Sequence, residues 1–567
     1  MVPRSRARGG SRPHAGAGRA AYDGPMFSPL MLVFAASIDV TPQDDLWATL
    51  QSLQAGDEVI IHAGDYNVPG FVDIVLAGSE GLPIVIRAGD GETPVIHGIS
   101  DQNTFNISGT WYTLRGLEID GGSHGVRLGT SAHAVLEDLQ IHGTADVGIS
   151  CNRPGNMYED ITIRRNHIRD TGVGGGPGEG MYLGCNDGEC VMWDSLIEFN
   201  WIHDTASGEQ GDGIEFKTGS YNTVVRHNVV YNTKYPGITL YGTQGEAPNL
   251  VEGNVVWNAQ DNGIQTVGDV TVRNNIVLNS GASGIAAKGS QGEQVVDLVI
   301  VHNTVIGAGD VCLRGNNFDT GGAITIANNA FYCEGGTAIK LPQGSGMAVF
   351  AGNAVVGGIE GAPGGTFDGV SVAAAFTDAG AMNIYPAEGS PLIDAGDPQY
   401  APADDFNCLP RDGAPDVGAY AVSDPQNPGW VIQGGFKVCD ADDPNPGTTG
   451  MTDDTGEPGD TGDTLAMTDD AGDSTVSDSV DASTDTPTSI PPGTDDGDDL
   501  PTGIGPGDTT GAGEGTAGGS TMTATTTPID DDDDSGCGCA STPRSPSGLL
   551  VLVALAMLPA RRRRARG

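Results

Sequence analysis

Short runs of β-branched residues, each closed by Gly, Asn or Asp, recur through the middle of the chain, and none follows the three-to-four spacing of an amphipathic helix. Four share one context: Arg165-Asn166-His167-Ile168, Phe199-Asn200-Trp201-Ile202, His227-Asn228-Val229-Val230 and Gly253-Asn254-Val255-Val256. The asparagine returns at Asn275, Asn303, Asn329 and Asn353, in steps of 34, 28, 26, 21, 28, 26 and 24 residues from Asn166, with Asp138 one step earlier. Each period holds two or three short strands and no helix, which disfavours leucine-rich repeats and predicts the coils of a parallel β-helix. Inward Ile and Val would stack from coil to coil, and the turn asparagines would hydrogen-bond along the stack in a structural role.

A second series stacks in register: Gly148-Ile149-Ser150-Cys151-Asn152, Gly180-Met181-Tyr182-Leu183-Gly184, Gly213-Ile214-Glu215-Phe216-Lys217, Gly237-Ile238-Thr239-Leu240-Tyr241 and Gly263-Ile264-Gln265-Thr266-Val267. Alternation points Ile149, Met181, Ile214, Ile238 and Ile264 inward with Cys151, Leu183, Phe216, Leu240 and Thr266. Two outward columns remain. One reads Ser150, Tyr182, Glu215, Thr239, Gln265, and the other Asn152, Gly184, Lys217, Tyr241, Val267. Glu215, Lys217, Tyr182 and Tyr241 are therefore expected to share one exposed patch, walled by Thr218-Gly219-Ser220-Tyr221 and by loops near Asp212, Lys234 and Tyr235.

The segments Leu53 to Ile61 and Ala63-Gly64-Asp65-Tyr66 resemble the opening coil of pectate-lyase-like proteins. Ser390 to Asp397, Arg411 and Asp416-Val417-Gly418-Ala419-Tyr420 resemble the closing segment of choice-of-anchor surface proteins. The resemblance spans about residues 40 to 421 and implies an all-β, right-handed parallel β-helix, a fold that hosts lyases, hydrolases, epimerases and adhesins alike.

Gly211-Asp212-Gly213-Ile214-Glu215-Phe216-Lys217, followed by Asn222, Arg226 and Asn228, resembles the coil that carries the lysine base in chondroitinase B-like and alginate-lyase families. The resemblance puts Lys217 in the place of that base, with Glu215 beside it and Tyr241 as proton donor on the following coil, where those lyases carry an arginine. In β-elimination a cation, often Ca²⁺, neutralises the uronate carboxylate, and Asp212, Glu215 and Asp187 are the oxygen ligands expected here. Tyr182, Arg226, Tyr221, Tyr235 and Gln265 would contact an acidic polysaccharide. A second reading is a non-catalytic rod that binds glycan through Tyr182, Tyr221, Tyr235 and Tyr241. Hydrolysis of the polygalacturonase type is disfavoured, because its paired aspartates are missing.

Charge divides the 567 residues into parts. The net charge is -47, and no Lys or Arg occurs between Lys437 and Arg544, where Asp, Thr, Gly, Ser and Pro dominate. Such a segment buries too little apolar surface to offset its ordering entropy, so 441–536 reads as a disordered acidic stalk, and the acidity speaks against nucleic-acid binding. The β-helix is expected over 38–360 and its closing segment over 361–440. Residues 1–37 read as a signal segment, with Met26 as an alternative start. In 537–567 the pair Cys537 and Cys539, an apolar run and Arg561 to Arg564 follow in order. That order resembles the MYXO-CTERM sorting tails of myxobacterial surface proteins, and implies a transmembrane sorting segment, secretion and anchoring to the cell envelope. In an oxidising compartment Cys185 would pair with Cys190, Cys312 with Cys333 and Cys408 with Cys439, leaving Cys151 a core thiol; no Cys/His spacing reads as zinc.

Overall fold

The computed structural model describes residues 35–319, 322–361, 364–423 and 429–439. The expected stalk 441–536 and sorting tail 537–567 lie outside them, as does nearly all of the signal segment. Among the described residues no helix is long and apolar enough to cross a membrane.

Thirty-five strands form one sheet whose neighbours are coils of a solenoid (35-stranded). A typical coil contributes Val224–Arg226, Val229–Tyr231 and Ile238–Leu240, and each pairs in parallel with its counterpart on the next coil, Asn249–Glu252, Val255–Trp257 and Ile264–Thr266. Three ladders result, the first running through Ile238–Leu240, the second through Val224–Arg226 and the third through Val229–Tyr231, with a side chain of every strand turned into the common core. Ile149, Met181, Ile214, Ile238 and Ile264 are fully buried there, above Cys151, Leu183, Phe216, Leu240 and Thr266, as alternation predicts.

The tight turn between the second and third ladders is held by the asparagines. Asn228 Nδ2 donates to Ile197 O at 3.0 Å and to Asn254 Oδ1 at 2.9 Å, and its own Oδ1 accepts from the N–H and Nδ2 of Asn200. The same pattern runs from Asn166 to Asn353. Asp138 is not a rung of it. Leu139 fills that place, its N–H on Asn166 Oδ1 at 3.0 Å, and Asp138 takes the left-handed position just before, φ 54°, with Arg165 Nε at 2.8 Å. A short polar side chain suits that backbone, so the sequence spacing was right for the turn and one residue off for the ladder.

Both open aspects of the coil are covered. The helix Leu46–Leu50, N-capped by Asp45, buries Leu46, Trp47 and Leu50 over the first coil, with Trp47 and Phe105 ring centroids 5.5 Å apart. Phe376, Ile384, Tyr385, Phe406 and Tyr420 from the closing segment pack on the outer face of the third ladder against Trp201, Val229, Val255, Trp257 and Tyr332. Arg411 secures this segment by donating to the carbonyls of Asp416, Gly418, Ala419 and Tyr420 and to Asn274 Oδ1. The three expected disulfides are formed, and Cys151 is free and buried.

Histidines make stability depend on pH in two opposing ways. His97 is held between Asp65 at 2.8 Å and Asp120 at 3.0 Å, and these partners raise its pKa. Its contribution is complete below the unfolded value and fades as pH rises through the folded one. Burial pushes His124 and His167 down to about 3, so both stay neutral in the fold. They favour the unfolded chain as pH falls below its own histidine pKa, by up to about 1.4 kcal/mol per pH unit each. The buried pair outweighs the half-exposed one, so the urea midpoint of wild type relative to His167→Gln is expected to fall between pH 7 and pH 5; an unchanged difference would refute this balance.

Candidate functional site

The site lies on the outer face of the first ladder, and a run of glycines sets its geometry. A Cβ on Gly180 would stand 2.6 Å from Gly213 O, and one on Gly213 would stand 2.4 Å from Gly237 O. Only glycine lets successive coils approach so closely at this point. The residue before each glycine is thereby fixed beside the outward column: Glu179 on one coil and Asp212 on the next, whose strand Ile214–Phe216 carries Glu215.

Carboxylate oxygens of Glu179, Asp212 and Glu215 all lie within 4.8 Å of one another, and all three residues are buried. Both oxygens of Glu179 and Oε2 of Glu215 have no hydrogen-bond partner, while Asp212 Oδ1 accepts from Thr239 Oγ1 at 2.9 Å. Burial, then repulsion from Glu215, holds the Glu179 and Asp212 carboxyls well above the usual carboxylate range. Lys217 Nζ is ion-paired with Glu215 Oε1 and stands 4.6 Å from the ring centre of Tyr182 and 5.2 Å from that of Tyr241. Burial alone would lower the Lys217 pKa, but the Glu215 carboxylate outweighs it and raises the value. Burial also raises the pKa of both tyrosine hydroxyls, which stay protonated.

The columns Ser150, Tyr182, Glu215, Thr239, Gln265 and their inward partners pair in the expected register. Exposure is different. Lys217 and Glu215, expected on an open patch, are only 5% and 3% exposed, with Tyr182 and Tyr241 on either side of the ammonium. Thr218 Oγ1 donates to Gln291 Oε1 at 2.8 Å, whose Nε2 donates to Asn186 Oδ1 at 3.0 Å. Surface depressions of about 480 Å³ at Asp170 and Asp204 and of about 150 Å³ at Arg226 and Asp404 include none of these side chains.

The other predicted residues scatter. Gln265 accepts from Asn262 Nδ2 at 3.0 Å on the site face. Arg226 belongs to the second ladder, where Glu198 binds it at 2.8 Å. Tyr221 stacks on Trp193, centroids 6.1 Å apart. Tyr235 sits on the turn leading to Ile238–Leu240, its N–H on Gly211 O at 3.3 Å. Asp187 occupies the exposed turn Asn186–Gly188 between the half-cystines Cys185 and Cys190, outside the carboxylate cluster. Glu179 takes the place expected of Asp187. The signal for it was present, since Gly178-Glu179-Gly180-Met181 repeats the glycine, acid, glycine, apolar order of Gly211-Asp212-Gly213-Ile214.

The cluster fits a hard divalent cation: its donors are oxygens alone, and three buried oxygens lack any other partner. Glu179, Asp212 and Glu215 are the residues that would hold it.

Residues 34–171 match the Pel9A-like right-handed β-helix region, and residues 103–271 the right-handed β-helix region. The fold is a right-handed parallel β-helix. The chain is similar to an alginate lyase from Paenibacillus sp. str. FPU-7, at 20% identity over 48% of this chain and 94% of that one, TM-score 0.37. It is also similar to pectate lyase Pel9A, at 14% identity over 68% and 96%, TM-score 0.43. XylC in complex with xylose matches at 11% identity over 68% and 98%, TM-score 0.45. No curated protein matches the sequence.

Proposed function

We propose that this β-helix binds an acidic polysaccharide on the face around Lys217 and cleaves it by β-elimination, with Ca²⁺ bound by Glu179, Asp212 and Glu215. The observation that supports this most is a lysine beside three buried carboxylates whose oxygens lack partners. Bound there, the cation would supply the positive charge that offsets a uronate carboxylate. It would also relieve the hold of Glu215 on Lys217, the condition for the lysine to take a proton. Tyr241 keeps its proton and is placed to donate it to the leaving oxygen. Tyr182 lines the opposite side of the ammonium.

The test is ultraviolet absorbance of an unsaturated uronate, using the full chain with alginate, pectate, chondroitin and heparin, with and without Ca²⁺. A Ca²⁺-dependent rise supports the proposal. Binding without a rise favours the non-catalytic glycan-binding reading, which the Glu215–Lys217 ion pair supports because it keeps the lysine charged. Independently of activity, Ca²⁺ at a hundredfold excess over its Kd is expected to add about 2.7 kcal/mol of stability. EDTA should reverse the gain and Glu179→Gln should abolish it; an unchanged melting temperature would remove the cation from the site.

The proposal extends to location: a protein exported to an oxidising compartment and held at the cell envelope through 537–567. The three disulfides support export. Protease treatment of intact cells is expected to release the β-helix, and its recovery only from the lysate would count against surface display.

A further inference from the structure

Nearly every arginine in the described residues has a carboxylate. Arg87 pairs with Glu58, Arg115 and Arg164 with Glu137, Arg165 with Asp138, Arg169 with Asp170, Arg226 with Glu198, Arg273 with Glu252 and Arg314 with Asp310. Arg411 is spent on carbonyls of the closing segment. Two remain, Arg127 and Arg153, and they stand together.

Arg127 follows Ser150, Tyr182 and Glu215 down the outward column, three rungs or about 14 Å from Glu215. Arg153 reaches back across the same strand: its Nη2 donates to Asn106 Oδ1 at 2.9 Å, and Asn106 is the rung below Arg127. A Cβ on Gly129, two residues along from Arg127, would lie 3.9 Å from Arg153 Nη1. Arg127 Nε is buried with no hydrogen-bond partner, and neither arginine has a carboxylate within ion-pair distance among the described residues. The nearby Asp146 lies 3.5 Å from Nε2 of the neutral His124 and is not within ion-pair distance of either arginine. Burial, then the charge of Arg153, lowers the Arg127 pKa, and the Asp146 carboxylate beyond ion-pair distance offsets only part of this. Between this pair and the carboxylate cluster, Ser150 Oγ and Asn152 Oδ1 are also buried without partners. In a chain of net charge -47, two adjacent unpaired arginines on the site face are arranged for an anion from outside.

We propose that Arg127 and Arg153 form a subsite for an anionic group, carboxylate or sulfate, on a sugar a few units along the polysaccharide from the one at Lys217. The inference rests on the polysaccharide reading above and deepens it. It fixes one direction of the chain, along the helix axis toward the N-terminal coils. It also sets a minimum ligand, an oligosaccharide long enough to reach from Glu215 to Arg127.

The experiment is calorimetric titration of the full chain, with Ca²⁺ present, using polygalacturonate oligosaccharides, the same oligosaccharides after carboxyl reduction, and dextran sulfate. Arg127→Gln and Arg153→Gln are each expected to weaken binding of the acidic oligosaccharides by about ten-fold or more, the worth of one charge-assisted hydrogen bond. Arg127→Lys should fall between, because it keeps the charge and loses the fork. Arg273→Gln, on another ladder and paired with Glu252, should bind as wild type, and the reduced oligosaccharides should not distinguish wild type from Arg127→Gln. Preference for dextran sulfate assigns a sulfate, and preference for polygalacturonate a carboxylate. Unchanged affinity in both Gln variants, or equal binding of reduced and unreduced sugar, overturns the subsite while the Ca²⁺ response and glycan binding stand. If no polymer binds, yet free galacturonate or sulfate raises the melting temperature in an Arg127-dependent way, the subsite holds and the polysaccharide reading falls. If the small anions also fail, both fall.

Discussion

Lys217→Ala is expected to lower β-elimination about a thousand-fold, within the range that a positioned general base contributes. The same change removes the partner of a buried carboxylate, and breaking such a pair costs about 3 to 5 kcal/mol. Glu179, Asp212 and Glu215 would then share one buried space with no counter-charge of the protein's own. Loss of activity alone is therefore ambiguous, and Ca²⁺ separates the causes. Saturating Ca²⁺ should restore the stability of Lys217→Ala, because the cation supplies the missing charge, and should leave the activity lost. Lys217→Met, which keeps much of the volume between Tyr182 and Tyr241, should behave in the same way. If a variant restored to wild-type stability also regained activity, Lys217 would be a counter-ion to the carboxylates and some other group would be the base.

The largest effect on stability is expected at the middle of the asparagine ladder. Asn228→Ala removes two donated and two accepted hydrogen bonds at once, leaving Ile197 O and the Asn200 N–H without these partners in a fully buried turn, while Asn254 Oδ1 keeps the N–H of residue 228 and Asn200 Nδ2 keeps Ile163 O. Each buried group so orphaned costs about 1 to 3 kcal/mol, and with partial relaxation the sum is expected near about 4 kcal/mol. Asn353→Ala should cost less. It is the last ladder rung, and its Nδ2 reaches Ile326 O at 2.8 Å and Gly365 O at 3.4 Å, with no further asparagine side chain. Urea denaturation of the two variants checks the order, and a loss under about 1 kcal/mol at Asn228 would mean the turns stand without the ladder.

How much of this was legible in the sequence depended on whether a feature lives within one coil or between coils. Strand alternation is local, so it assigned Ile214 and Phe216 inward and Glu215 outward, and the repeat then stacked Tyr182, Glu215 and Thr239 in the register observed. The asparagines were readable for a related reason: a buried turn repeated at every coil demands the same side chain each time. Cys312 and Cys333 lie about one period apart in sequence and meet one coil apart in space. Glu179 is legible in the same way, since it precedes Gly180 as Asp212 precedes Gly213.

The remainder depended on distances that no single coil specifies. Arg226 follows the lysine coil closely in sequence, yet a turn carries it to another ladder and to Glu198. Lys217 is buried with its ammonium between Tyr182 and Tyr241, which stand on the coils before and after it. Arg127 and Arg153 come together only because Arg153 folds back across the preceding strand to Asn106. The sequence by itself determined the repeat, the two faces of each strand and the residue types along the ladder, since these follow from the two-residue period of a strand and the hydrogen-bonding needs of a buried turn. Only the tertiary structure decided which charges are neutralised, which are buried and which are left unpaired, because charge pairing and solvent exclusion act through space and join coils at separations the pattern along the chain does not encode.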